Sequence, residues 1–102
     1  NLMDNSLVIT GVICRQPDRN ESPAGIPNLY LVLEHKLMQL EAGYNRASYL
    51  RIHVVVTGEL SRQSHNLMQG SVVRVQGFLN RHQTRSGQAK LVLHAQQIEI
   101  LS

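Results

Sequence analysis

The sequence lacks the clustered residues on which most enzyme and metal sites depend. Among its 102 residues there is one cysteine, so Cys14 can form neither an intrachain disulfide nor a paired zinc site. It contains no GxSxG, P-loop or HExxH motif, and its seven carboxylates are dispersed without a close pair for acid and base catalysis. These absences predict a protein that is not an enzyme and carries no metal or other cofactor.

Long apolar runs are also missing. No stretch approaches the roughly 20 apolar residues that span a bilayer, and the N-terminus has no basic segment followed by an apolar one. We therefore expect a cytoplasmic protein without a membrane segment. The length fits a single domain over residues 1–102. Because a methionine stands at position 3, we expect residues 1–4 to be additional to the natural chain or disordered.

The sequence does contain a regular alternation of apolar and polar residues. Apolar residues recur with a period of two and β-branched residues are frequent, whereas apolar stripes of helical period are nearly absent. The pattern predicts an all-β protein with five strands, at about 7–15, 28–36, 47–57, 71–79 and 90–100. The only room for a short helix is within 59–69, between the third and fourth strands. This order is typical of a five-stranded OB-fold barrel, with an SH3-like barrel or half sandwich as the alternative.

Turn chemistry separates these strands. Residues 18–27 are predicted to form a turn, residues 39–46 a polar loop around Gly43, and residues 81–88 a basic hairpin loop around Gly87. Gly11 and Gly77 each lie inside a predicted strand, where a glycine indicates a bulge or a bend.

The charge of the chain is unevenly distributed. Residues 1–70 hold six Lys or Arg and six Asp or Glu, whereas residues 71–102 hold four cations and only Glu99. The whole net charge of +3 therefore lies in the last third. This asymmetry favours a polyanionic partner, and a solvated basic loop is the alternative interpretation.

A single nucleic acid strand is bound by cations that follow its phosphates and by aromatic rings that stack on its bases. Tyr44 lies in the predicted polar loop, and Tyr49 opens the third strand on the side opposite its apolar residues. We predict that both stack on bases, although Tyr49 could instead be a half-buried barrel residue or a dimer contact. The predicted phosphate contacts are Lys36, Arg46, Arg81, Arg85 and Lys90.

Five short segments carry a resemblance that covers nearly the whole chain. In order they are SPAGIP at 22–27, VLEHK at 32–36, EAGY at 41–44, VQGF at 75–78 and LVLHAQQIE at 91–99. Together they resemble the primosomal replication protein N (PriB) family. The resemblance implies an OB-fold homodimer that binds single-stranded DNA at stalled forks, supports the PriA helicase and helps to recruit DnaT in primosome assembly and replication restart.

The resemblance also bears on individual positions. Tyr44 and Tyr49 correspond to two aromatic positions of the family, and Tyr49 stands where a tryptophan is expected. In the family's lysine-rich loop Arg85 and Lys90 fit lysine positions, whereas Gln83 is uncharged, so the loop has one charge fewer there. Asn20 likewise stands where a basic residue is expected. These departures imply a weaker stacking ring and a less cationic groove than in relatives.

Two other functions stay open. The chain could be a protein-interaction OB module of a replication complex, for which nucleic acid is a minor ligand. It could also be a small metal hydrolase, if the fold gathered the histidines at positions 35, 53, 65, 82 and 94.

Overall fold

Six strands and one short helix make up most of the computed structural model, which describes residues 2–102. Asn1, which the sequence placed among the additional or disordered residues, lies outside the described residues. The elements are β1 (Leu7–Ile13), β2 (Asp18–Glu21), β3 (Pro27–Glu41), β4 (Tyr44–Thr57), α1 (Glu59–Gln63), β5 (Val72–Gln83) and β6 (Ala89–Ile100). Within this part of the chain no helix is long and apolar enough to cross a membrane.

Five of the strands close into a barrel. They follow the order β1, β5, β6, β4, β3, and a pairing of β3 with β1 closes the ring. The β4–β6 pairing is parallel and the others are antiparallel. The helix lies between the third and fourth barrel strands, β4 and β5. The predicted OB-fold is therefore confirmed.

The barrel interior is filled by every second side chain of its strands. On β3 the buried residues are Leu29, Leu31 and Leu33, as the alternation predicted, and Val54 and Val56 of β4 pack in the same core. Burial of each such side chain stabilises the fold by roughly 1.5–3 kcal/mol. The remaining fully buried apolar residues are Ile13, Val73, Val75 and Leu93.

Both glycines predicted to mark bends lie where another strand approaches closely. At Gly77 the pairing of β5 with β6 shifts register, which is a β-bulge, and an added Cβ would lie 1.9 Å from the backbone oxygen of His94. At Gly11 it would lie 2.8 Å from the backbone oxygen of Glu34. Both positions exclude a side chain because backbone occupies its place.

The prediction of a polar loop at 39–46 is wrong, because only residues 42 and 43 lie between the two strands. β3 and β4 continue beyond the barrel as a two-stranded hairpin over residues 36–49, here called the arm. Glu41 pairs with Tyr44, and the turn between them is Ala42–Gly43 with φ values of 50° and 83°. Two positive φ angles are typical of the type I′ turn, whose twist matches that of paired strands.

Two other predicted turns are shorter in the structure than in the sequence analysis. Residues 18–21 form the additional strand β2, which pairs with the start of β3. The hairpin loop predicted at 81–88 narrows to residues 84–88, because β5 extends to Gln83. That turn is fixed by a 2.8 Å hydrogen bond from the Thr84 amide to the Gln88 carbonyl.

Candidate nucleic-acid interface

Opposite the buried leucines, β3 and β4 present a second row of side chains to the outside of the barrel. Strand alternation places them on one surface, here called the outer face. Paired across the two strands, they are Tyr30 with Val55, Val32 with His53, Glu34 with Arg51, and Lys36 with Tyr49. The outer face therefore combines two aromatic rings, two cations, a carboxylate and an imidazole.

Two of the residues predicted from the sequence meet at one end of this face. The Lys36 ammonium lies 5.1 Å from the centroid of the Tyr49 ring, a cation–π contact. Tyr49 is 58% exposed, so the ring retains free surface on which a base could stack. The structure thus places an exposed aromatic ring and a cation side by side.

The Glu34 carboxylate contacts both members of this pair, and it also contacts Arg51. Its Oε2 accepts hydrogen bonds from the Tyr49 hydroxyl at 3.2 Å and from the Arg51 Nε at 3.1 Å. Its Oε1 lies 3.6 Å from the Lys36 ammonium. The hydrogen bond from Arg51 lowers the pKa of Glu34 against an opposing effect of burial, and it raises the pKa of Arg51. Glu34 therefore stays anionic and orients three neighbouring groups.

Arg51 was missing from the predicted contacts, although its sequence position gave a signal. It stands two residues after Tyr49, and residues two apart in a strand share a face. The sequence could not show that Arg51 shares one carboxylate with Lys36, because that carboxylate comes from the neighbouring strand.

Tyr44 and Arg46 lie at the far end of the arm. Tyr44 is 78% exposed, and the Arg46 Nε lies 2.6 Å from the Glu41 Oε1. Alternation along β4 puts both on the opposite side of the arm from Tyr49. The structure therefore does not bring these two predicted residues onto the outer face, and one DNA strand could contact both sides only by passing around the arm.

The other predicted cations lie on the hairpin of β5 and β6. Arg85 is in the turn, Lys90 pairs in register with His82, and Arg81 pairs with Leu91. By alternation Lys90 shares a side of the hairpin with His82, and Arg81 projects from the other side. Within residues 2–102 Arg81, Arg85 and Lys90 form no ion pair with a carboxylate.

Arg74 differs from these cations because it pairs with Glu99. The positive excess of the last third of the chain is therefore concentrated on the β5–β6 hairpin. Cations without a carboxylate partner can bind phosphates without first breaking an ion pair.

Two histidines of this hairpin form a pair, one on β5 and one on β6. The Nε2 atoms of His82 and His94 are 2.8 Å apart, so one ring donates and the other accepts. The Phe78 ring stacks on His94 with centroids 4.9 Å apart. Burial, and then the neighbouring His82, lower the pKa of His94. In the described part of the chain no three His, Cys, Asp or Glu side chains are grouped so that they could hold a metal ion.

Comparison with protein families gives a match over most of the chain. The model described as another single-strand binding protein family matches residues 5–97. The replication restart protein PriB of Yersinia pseudotuberculosis is 46% identical over 98 residues, covering 95% of this chain and 93% of that protein. PriB of Escherichia coli O1:K1 is 43% identical over 100 residues, with coverages of 97% and 96%.

Solved structures show the same fold. PriB from Ralstonia solanacearum superimposes with a TM-score of 0.81 at 21% identity, and the match covers 98% of this chain and 100% of that one. The single-stranded DNA binding protein from Thermus aquaticus superimposes with a TM-score of 0.80 at 22% identity, covering 96% of this chain and 50% of that one.

Proposed function

The chain belongs to the PriB family of replication restart proteins, and from this premise we propose that it is a non-catalytic protein that binds single-stranded DNA. The observation that carries the proposal is the exposed Tyr49 ring beside Lys36, on a face whose neighbouring hairpin holds cations without carboxylate partners. In this proposal the protein acts in the cytoplasm, in primosome assembly.

The chemistry of this surface suits a flexible single strand. A stacking ring accepts any base, so we expect weak sequence preference, and cations along the hairpin would follow the phosphates. Glu34 offsets one of the charges of Lys36 and Arg51, so most of the phosphate attraction falls to the hairpin cations without carboxylate partners, Arg81, Arg85 and Lys90. Arg46 and Tyr44 would contact a strand that continues around the arm.

A double substitution tests the phosphate contacts. For Arg85→Ala with Lys90→Ala, we expect weaker binding of a labelled oligothymidine and a plot of log affinity against log salt that is flatter by about 1.4, or 0.7 per lost contact. The matched control is Arg62→Ala with Arg74→Ala, which removes the same charge from residues paired with Glu59 and Glu99. If both double variants change the slope equally, the two hairpin residues are not specific phosphate contacts.

We also propose that the protein is a homodimer. On the edge of β1 that faces β3, only Val12 and Ile13 are paired in the described structure, and the His35 Nδ1 lies 2.7 Å from the Thr10 backbone oxygen, so residues 7–9 leave a strand edge open. A groove of about 620 Å³ lies along it, lined by apolar residues of β1 such as Leu7 and Val8 and by polar ones such as His35, and Val8 is 58% exposed. An open edge beside apolar side chains is suited to pairing with another chain.

Light scattering tests the dimer. Wild-type protein should have twice the mass of one chain, and Val8→Glu should shift it to the monomer. Met68→Glu is the control, since Met68 is equally exposed at 59% but lies outside the groove. A wild-type monomer, or a Val8→Glu dimer, would contradict the proposed interface.

The arm supports a second candidate function, a protein-interaction module. Met38 and Leu40 follow Lys36 along the same side of the arm and are 61% and 76% exposed. Exposed apolar side chains on a projecting hairpin are suited to binding a protein. The partners that we propose are the PriA helicase, which the protein would stimulate, and DnaT.

A substitution in the arm separates the two functions. If Met38→Ser with Leu40→Ser abolishes binding to purified PriA and leaves oligothymidine affinity unchanged, the arm is a protein-binding element. If PriA binding persists in this variant and in the Arg85→Ala, Lys90→Ala variant, another surface binds the helicase.

A further inference from the structure

A small pocket on the barrel lies apart from Tyr49, at the other end of the outer face. It has a volume of about 80 Å³ and opens where β3, β4 and β6 meet. Val55 and Val92 are among its lining residues, and they are only 5% and 4% exposed although both point away from the core. The pocket therefore has an apolar floor covered by surrounding side chains.

Flat rings form part of the rim. Tyr30 is 42% exposed and lies in register with Val55, and His53 lies in register with Val92. Burial, followed by the charges of Lys90 and Arg15, lowers the pKa of His53. The imidazole is therefore predominantly neutral at neutral pH and presents a polar aromatic edge rather than a charge.

Two cations complete the rim. Arg15 follows the end of β1, Lys90 is the second residue of β6, and both line the same pocket. Within residues 2–102 neither has an ion pair with a carboxylate. An apolar pocket that is lined by rings and by two cations without carboxylate partners is complementary to a planar base and its neighbouring phosphates.

Distance along the strand connects this pocket with the Tyr49 end of the face. Tyr30 and Lys36 are six residues apart on the same side of β3, which corresponds to about 20 Å at the rise of an extended strand. One DNA strand could therefore follow the outer face and reach both ends.

We propose that the pocket is a second base-binding subsite, in which one nucleobase stacks on Tyr30 beside His53 while Arg15 and Lys90 bind its flanking phosphates. The inference rests on the proposed single-stranded DNA binding and adds a second contact point to it. Of these four residues, only Lys90 was predicted as a contact from the sequence.

The test compares two substitutions of Tyr30. Tyr30→Leu removes the ring and should weaken oligothymidine binding by roughly 5-fold or more, the loss expected for one stacked base. Tyr30→Phe keeps the ring and should retain wild-type affinity.

Arg15→Gln should weaken binding and reduce its salt dependence, whereas Arg62→Gln, in an ion pair with Glu59, is the control that should leave both unchanged.

Photocrosslinking of the wild-type protein makes the test independent of variant folding. Oligothymidine carrying one 5-iodouracil should crosslink to Tyr30 or His53 as well as to Tyr49. Crosslinks at Tyr49 alone, with wild-type affinity of a folded Tyr30→Leu variant, would overturn the subsite and leave the proposed function standing. No measurable binding of oligothymidine by the wild-type protein would instead overturn the proposed function.

Discussion

Glu34 is the residue on which the geometry of the Tyr49 end depends. One carboxylate accepts hydrogen bonds from Tyr49 and Arg51 and attracts Lys36, so it orients the exposed Tyr49 ring while offsetting the positive charge of its neighbours. In the proposed interface these two effects oppose each other, because orienting the ring favours DNA binding and offsetting the charge disfavours it. Because Gln retains an acceptor oxygen for the tyrosine, substitution by Gln changes mainly the charge.

For Glu34→Gln we expect tighter binding of oligothymidine at low salt. Releasing one cation to the phosphates should also make the plot of log affinity against log salt steeper by about 0.7. Glu59→Gln removes the same charge on α1 and should change neither quantity, which anisotropy titration would establish. Weaker binding by Glu34→Gln would mean that the carboxylate acts mainly by positioning the ring.

His94 gives the fold a dependence on pH. Its pKa is lowered below the ordinary value of 6.5 in the folded protein, so in that range the unfolded chain binds more protons. The stability that neutral His94 contributes is fully present above its ordinary pKa of 6.5, and it is lost as the pH falls through the lower pKa of the folded protein. His53 acts in the same direction because its pKa is also lowered.

The melting temperature should therefore fall between about pH 8 and pH 5. His94→Gln should make this fall shallower, whereas His65→Gln, at an exposed turn residue, should leave it as in the wild type. Thermal melts followed by circular dichroism give the comparison. An identical pH dependence in wild-type protein and His94→Gln would contradict the role assigned to His94.

At the scale of the elements, two positions require glycine for different structural reasons. Gly77 has an ordinary backbone conformation but no space for a Cβ, whereas Gly87 has open space and a φ of 85°. We expect Gly77→Ala to lower the free energy of unfolding by about 3 kcal/mol or more, because backbone atoms must move. Gly87→Ala should cost about 1–2 kcal/mol from the left-handed conformation alone. Urea unfolding measures both, and an equal or smaller loss at Gly77 would contradict the close packing.

The sequence predicted the barrel strands because alternation reports directly which side of a strand is buried. It did not predict the arm, since residues 37–48 have no buried position, and without a buried face the mixed apolar and polar side chains of this segment do not distinguish a strand from a loop. Cross-strand pairing, which stabilises the arm, is not visible in one segment alone. The type I′ turn at Ala42–Gly43 was missed because Ala is an unusual residue at positive φ.

At the scale of the whole molecule, the sequence showed where charge accumulates but not which charges are free. Arg74 and Arg85 both belong to the basic last third, yet Arg74 is paired with Glu99 and Arg85 has no carboxylate partner in residues 2–102. Arg15 belongs to the balanced part of the sequence, but the fold brings it to Lys90. Closure of the barrel by β1 therefore determines part of the cationic surface.

The central claim is that the outer face binds one flexible strand and not a duplex. The most direct measurement is an anisotropy titration of a labelled oligothymidine and of a matching duplex at low and moderate salt, with wild-type protein and Tyr49→Ala. The account predicts tighter, salt-sensitive binding of the single strand, weakened by roughly 5-fold or more in Tyr49→Ala, with little binding of the duplex. Equal or tighter binding of the duplex, or single-strand affinity unchanged in Tyr49→Ala, would contradict it.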